Sequence, residues 1–462
     1  MQQPDKAEEY LETVRQQIRW KRARHIVVEE IRAHLEDQKE AYLKGGNSEE
    51  EATIRAIAEM GDPVTVGEQL DRVHRPRPDW ALLAITAALL LFGLLVPAAT
   101  GGLVSGGLFG ESWFFNQAVY VGISIPVMLA AYFMDFTILG KYPKMTLVSF
   151  YVIFLICYFL TNGPFAGYRT CAITDLLVLF PTVFAGFVYG MRGRSYDGLI
   201  LCMAAVLISA LIALIMPDLT ILFFLFVSCF IILTGAVLKG WFRVGKKAAI
   251  GILILPFGCV MAAAGLILYG GNGIRRFQYI MNPGLAPDSY GYLGNQLQQI
   301  LWHSKPIGAG MSSTGIDPCL ISGYMTDMKT NFLLTYITYR FGWIVLLVIL
   351  GLLLAFLIRA GILCKKQKSV LGFLTCLAVL LTLALQCFIY IVPNFGILLF
   401  HPLSLPLISF GGQFLMINMF LIGLLLSVFR TGELAAEKAI TEKAGSKHFI
   451  HYQNGQIIIS LK

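Results

Sequence analysis

Apolar runs of roughly twenty residues, the length that spans a bilayer core, alternate with short polar connections from position 80 to position 430. They fall at 80–99, 118–140, 146–160, 172–191, 198–216, 219–238, 248–270, 332–358, 369–392 and 409–429. Within hydrocarbon every backbone donor and acceptor must be satisfied internally, and a single segment achieves this only as a helix. The pattern therefore predicts an all-α polytopic membrane protein with ten transmembrane helices. Composition agrees, with 56% of the 462 residues hydrophobic and only 14% charged.

Charge adds an orientation to that pattern. A net charge of +8 could suit nucleic acid, but the lysines and arginines lie mainly in the short connections, which is how a positive-inside topology reads. The clusters are Arg72, Arg75 and Arg77; Lys141 and Lys144; Arg192 and Arg194; Lys239, Arg243, Lys246 and Lys247; Lys365, Lys366 and Lys368; and Arg430. They alternate with connections at 100–117 and 393–408 that contain neither residue. All six clusters fit the cytoplasmic side, with both termini inside and no nucleic-acid partner.

No signal-peptide pattern precedes the first apolar run. Residues 1–79 read instead as a small cytoplasmic helical domain: Val28, Ile31, Leu35 and Tyr42 keep helical spacing, and Gly45 and Gly46 stop the run. Ser48 followed by Glu51 is a capping box, and the helix it opens ends at Gly61 and Pro63. The stretch HLEDQKEAYLKGGNSEEEATIRAIAEMGDP resembles the prefix domain ahead of some bacterial permeases and membrane regulators, which leaves both a stabilising appendage and a docking module open. In the cytoplasmic tail, 431–462, HYQNGQIIISL reads as a hairpin about Asn454 and Gly455. Nine cysteines show no CxxC pair and no metal-ligand spacing; Cys171 and Cys319 share the outer side, where a disulfide is compatible with the topology.

Two regions carry candidate chemistry. The outer connection 271–330 is polar and rich in Gly, Pro and Asn, with no clear fold of its own, and its stretches RRFQYIMNPG, YGYLGNQLQQI, KPIGAGM and YMTDMKTNF stand out. The second region is LPLISFGG at 405–412, where Pro406 removes a backbone donor and Gly411 and Gly412 permit close approach of a helix or ligand. Irregular backbone at membrane depth survives only against protein or a water-filled cavity, so this segment reads as a cavity wall.

LPLISFGG resembles the terminal signature of the SEDS family, the FtsW/RodA/SpoVE-like membrane proteins of bacterial shape, elongation, division and sporulation, which usually read LPLISYGGSS there. MPDLT at 216–220 is similar to the family's QPDLGT, and 275–310 to its R…NP…GYQ…G.G run. The resemblance covers roughly 80–430 and implies a multi-pass protein of the bacterial cell membrane that polymerises the peptidoglycan glycan strand from lipid II, beside a class B penicillin-binding protein. Such a reaction needs a base for the acceptor hydroxyl and a cation for the leaving diphosphate. Diphosphate chemistry is compatible with a divalent cation, but no ligand cluster in the sequence marks a site for one.

The chain departs from the family where that base is expected. The family's TDF is TNF here, so Asn331 stands in for the carboxylate, and an amide cannot take up and hold a proton near neutral pH. PTVFAG at 181–186 aligns with PSEFAK, placing Val183 and Gly186 where an intramembrane Glu and Lys are expected. Asp327, four residues before Asn331, shares its face if a helix already runs there, and is the substitute base to test. From their position in the outer connection Arg275 and Arg276 would neutralise the diphosphate, and the backbone from Ser409 through Gly411 and Gly412 would line the lipid or glycan groove. Three readings stay open: a divergent glycosyltransferase with a displaced base, a weak or inactive relative that binds lipid II or a synthase as a scaffold, and a transporter of polyprenyl-linked lipid.

Overall fold

The computed structural model describes residues 6–74, 79–101, 112–161, 175–215, 219–269, 273–310, 330–431, 450–453 and 456–459. Four helices form the N-terminal region: α1 (Lys6–Gln17), α2 (Lys21–Lys44), α3 (Glu49–Met60) and α4 (Pro63–His74). Tyr10, Leu11, Val14 and Ile18 of the first helical stretch close on Val27, Ile31 and Leu35 of α2, forming a hydrophobic cluster of their own. Ser48 caps α3 as its sequence predicts, its hydroxyl accepting from the Glu51 amide at 3.4 Å. Asp71 of α4 accepts from the Arg19 amide at 2.8 Å and ties the last helix back to the first turn.

The apolar segments continue as α5 (Trp80–Gly101), α6 (Ser112–Phe133), the short α7 (Ile138–Lys141) and α8 (Pro143–Thr161). A 3-10 turn, Asp175–Leu179, runs into α9 (Phe180–Gly190), and α10 (Tyr196–Ile215), α11 (Leu219–Leu238) and α12 (Lys246–Tyr269) complete the first half. Beyond them lie α13 (Gly273–Met281), α14 (Tyr292–Trp302), α15 (Leu333–Phe341), α16 (Trp343–Lys365), α17 (Val370–Asn394) and α18 (Gly412–Thr431). Among the described residues each of the ten predicted segments contains a helix, and eight helices are long and apolar enough to cross a membrane. The C-terminal hairpin is also present, β1 (Ile450–Gln453) pairing antiparallel with β2 (Gln456–Ile459) so that Gln453 faces Gln456.

Three expectations are corrected. The run predicted as one helix over 332–358 is broken at Gly342, whose φ of 99° closes α15 and redirects the chain into α16. The run at 118–140 ends at Phe133, and a bend leads into α7. The outer connection has structure of its own, the amphipathic α13 and then α14, instead of a bare loop.

Two packing relations set the frame of the bundle. Gly412 at the start of α18 meets the Tyr120 ring of α6, and near its other end the Ser427 hydroxyl donates to the Met134 carbonyl just past α6 at 2.7 Å. The sequence offset is almost the same at both places, so α6 and α18 run parallel and in contact along their length. At the start of α5, Asp79 caps the helix by accepting from the Leu82 amide at 2.8 Å and pairs with Arg359 of α16 at 2.8 Å.

Candidate functional site

The TNF junction between the outer connection and α15 is held by the end of α17. Tyr390 and Asn394 lie four residues apart on one face of α17, and both are buried. The Tyr390 hydroxyl donates to the Thr330 carbonyl at 2.8 Å and accepts from the Leu333 amide at 3.0 Å. Asn394 donates through Nδ2 to the Asn331 carbonyl at 3.0 Å and accepts the Thr335 amide through Oδ1 at 3.1 Å. Thr335 returns its hydroxyl to the Asn394 carbonyl at 2.7 Å. Asn331 is thus fixed through its backbone in a turn, half-buried, two residues before α15 begins. Sequence reading missed both anchors; the signal was a Tyr and an Asn at i, i+4 closing a largely apolar helix beside Pro393.

The KPIGAG strip at 305–310 is stitched to the break at Gly342. Gly310 donates to the Tyr339 carbonyl at 2.8 Å and Gly308 to that of Phe341 at 3.1 Å, while Trp343 and Ile344 donate to Lys305 and Pro306 at 3.1 and 3.2 Å. The strip replaces the helical bonds that the break removes. It ends at the last described residue before the segment that holds Asp317, Cys319 and Asp327, all outside the described residues, as are Cys171 and Asp218. α15 itself starts at Leu333, two residues after Asn331.

Arg275 is exposed on α13, with Arg276 following it in the same helix. The Tyr279 and Tyr290 rings stack at 6.5 Å. His303 is exposed and bonds the Gln299 carbonyl through Nδ1 at 2.7 Å.

LPLISFGG enters the bundle as irregular backbone. A Cβ added at Gly93 would lie 2.8 Å from the Leu407 carbonyl oxygen, and Gly93 is eight residues short of the α5 terminus, about 12 Å at 1.5 Å per residue. Leu407 has a φ of 68°, alone among the described non-glycine residues in being positive. Ser409 is buried; its hydroxyl meets that of Ser404 at 2.6 Å and donates to the Leu405 carbonyl at 3.2 Å, so its side chain is turned into protein. Phe410 packs on Tyr120 at 5.9 Å, Gly412 abuts the same ring, and a Cβ at Gly411 would meet nothing within 4 Å. Of the three, Gly411 alone faces open space.

α17 joins the two regions. Leu383 and Cys387 pack around Pro406 and Leu407 at a small apolar cavity, one to two turns before Tyr390. Gln386 on α17 and Asn418 on α18 are fully buried, and neither amide has a partner among the described residues. Buried amides of this kind are costly in a bundle interior. At the family's ion-pair position Val183 is half-buried, and a Cβ added at Gly186 would lie 2.8 Å from the Leu139 carbonyl oxygen of α7. α7 therefore occupies the space that a side chain at 186 would need. Among the described residues no group of three or more His, Cys, Asp or Glu could hold a metal ion.

Comparison with known proteins covers the same elements. The FTSW_RODA_SPOVE family model, described as cell cycle protein, matches residues 176–433, more than half of the chain. The chain belongs to this family. FtsW of Idiomarina loihiensis, named "Probable peptidoglycan glycosyltransferase FtsW", is 24% identical over 381 residues, covering 77% of this chain and 88% of its own. The like-named protein of Legionella pneumophila is 24% identical over 370 residues, covering 75% and 89%. A solved peptidoglycan synthase complex that coordinates polymerization and crosslinking contains a chain with the same fold, at TM-score 0.56 and 16% identity, covering 76% of this chain and 98% of that one. This FtsW/RodA/SpoVE-family member is a multi-pass bacterial membrane protein of helical fold.

Proposed function

We propose that this family member is a peptidoglycan glycosyltransferase that polymerises lipid II on the outer face of the membrane. The observation that carries the reading is the TNF junction: Thr330, Asn331 and Leu333 are held by Tyr390 and Asn394 at the position where the family keeps its carboxylate. A rigidly held backbone beside the reacting sugar is what positional catalysis requires. In the reaction the acceptor hydroxyl forms the new C–O bond, the bond from the anomeric carbon to the lipid diphosphate breaks, and the hydroxyl proton passes to a base. Asp327 serves as that base, Arg275 and Arg276 balance the departing diphosphate, and the backbone at Gly411 borders the groove for lipid or nascent strand.

The six basic clusters face the cytoplasm, which puts the domain at 1–79 and the tail at 431–462 on that side of the ten-helix unit at 80–430. The transpeptidase partner is a class B penicillin-binding protein. A second reading, a scaffold that binds lipid II or a synthase without turning it over, is favoured by Asn331 together with the filled position at Gly186.

Polymerisation of lipid II by the protein in nanodiscs, with and without a class B penicillin-binding protein, separates the two. Glycan strands from the parent that fall about 100- to 10,000-fold in Asp327→Asn identify an enzyme with a displaced base. Equal activity in that variant removes Asp327 from the mechanism. No strands from the parent, with measurable lipid II binding and recovery in Asn331→Asp, identify the scaffold.

A further inference from the structure

The turn 191–196 and the turn 239–245 are joined backbone to backbone. Gly193 donates to the Trp241 carbonyl at 2.9 Å and Arg243 to the Arg194 carbonyl at 2.9 Å, so the two connections form one plateau at the ends of α10, α11 and α12. The plateau is basic. Lys239 sits over the Phe373 ring at 3.3 Å, Arg192 over Tyr189 at 5.3 Å, and Arg194 pairs loosely with Asp197 at 3.7 Å. Asp197 is the one acid at these turns, and Arg243, Lys246 and Lys247 remain exposed. The same three helices leave an apolar cavity of about 40 Å³ between them, lined by Met203, Leu207, Phe230, Leu233, Leu253 and Pro256 among others. Met203 and Leu253 each lie seven residues in from the helix ends that carry the basic turns, about 10 Å along the axis.

A headgroup layer is about 5–7 Å thick, so a phosphate held on the cationic plateau puts the upper acyl methylenes at the level of the apolar furrow, about 10 Å below it. We propose that the ends of α10, α11 and α12 bind one anionic diacyl phospholipid, its headgroup on Arg243, Lys246 and Lys247 and one acyl chain in the furrow. The charge of the plateau selects an anionic headgroup over a zwitterionic one, and the furrow separates a seated lipid from a diffuse annulus. The site is independent of the catalytic reading.

Native mass spectrometry of the full chain in detergent micelles, titrated with dioleoyl phosphatidylglycerol or dioleoyl phosphatidylcholine, tests it. The parent is expected to prefer the anionic lipid by about tenfold, and Arg243→Glu/Lys246→Glu to lose that preference. The matched reversal Lys365→Glu/Lys366→Glu, in a different connection, is expected to keep it. Leu207→Trp, on the exposed rim of the furrow, is expected to weaken binding of both lipids while leaving their ratio unchanged. A parent that does not discriminate, equal losses in the two charge reversals, or undiminished binding in Leu207→Trp would each overturn the proposal.

Discussion

Asn394 grips Thr335 from two directions, its Oδ1 accepting the Thr335 amide at 3.1 Å and its own carbonyl accepting the Thr335 hydroxyl at 2.7 Å. Its Nδ2 reaches the Asn331 and Tyr390 carbonyls at 3.0 and 2.8 Å, so one buried amide serves three backbone groups across two helices. Asn394→Leu keeps the volume and abandons all three. It is expected to destabilise the protein by about 1–3 kcal/mol, the cost of leaving buried backbone groups unpaired. Thermal unfolding in micelles measures the loss, and faster amide exchange at 331–335 locates it. An unchanged melting point would mean that the junction does not depend on Asn394.

Asp79 offers a dependence on pH. Burial by itself would push its carboxyl up, but the Arg359 guanidinium and the Leu82 amide outweigh burial and hold it below the ordinary carboxylate value. A group depressed in the folded state contributes stability above its unfolded pKa, about 3.9, and loses it as pH falls through the lower folded value. Asp79→Asn retains a capping side chain without the charge. The melting-point gap between parent and variant should be full at pH 5 and above and should close on acidification below about pH 4. A gap that stays constant across that range would show the ion pair to be without effect on stability.

Much of this architecture is legible from residue pattern, and the parts that are not share a common cause. The long helices follow from run length alone, the α3 cap from Ser48 and Glu51, and the hairpin from the Asn454–Gly455 dipeptide. The break at Gly342 is invisible because Phe341 and Trp343 continue the apolar run on either side. The bonds that compensate it come from 305–310, more than thirty positions away. α13 and α14 are hidden by glycine-rich, polar surroundings that suggest a loop. At the site, sequence points to Asn331 and the LPLISFGG segment, but their supports, Tyr390, Asn394, Tyr120 and Gly93, are ordinary members of apolar helices until the fold brings them together.

Gly93 tests the seating of that segment. Its Cα lets the Leu407 carbonyl come within 2.8 Å of where a Cβ would stand, and the Ile408 Cα lies 3.3 Å away from the same point. Both neighbours are backbone, so neither can swing aside. Gly93→Val should cost about 1–3 kcal/mol through overpacking, even though valine is well tolerated on an ordinary membrane-helix surface. Gly122 on α6, where an added Cβ meets nothing within 4 Å, supplies the control: Gly122→Val should leave the melting point nearly unchanged. Equal effects at the two positions would show that LPLISFGG is not packed against α5.

The two departures from the family pattern should respond differently to restoration. Asn331 is half-buried and meets Asn394 through its backbone carbonyl, so Asn331→Asp changes a side chain without breaking that contact. Gly186 is different, since the Leu139 carbonyl and Cβ stand 2.8 and 2.9 Å from an added Cβ and belong to the backbone and root of α7. Val183→Glu/Gly186→Lys must displace α7 before the new side chains can pair, at a cost of about 1–3 kcal/mol or more. Asn331→Asp is therefore expected to match the parent in melting point, and the double variant to melt lower and express poorly. If the double variant is as stable as the parent, α7 yields readily and the closed space at Gly186 is no barrier to the family's ion pair.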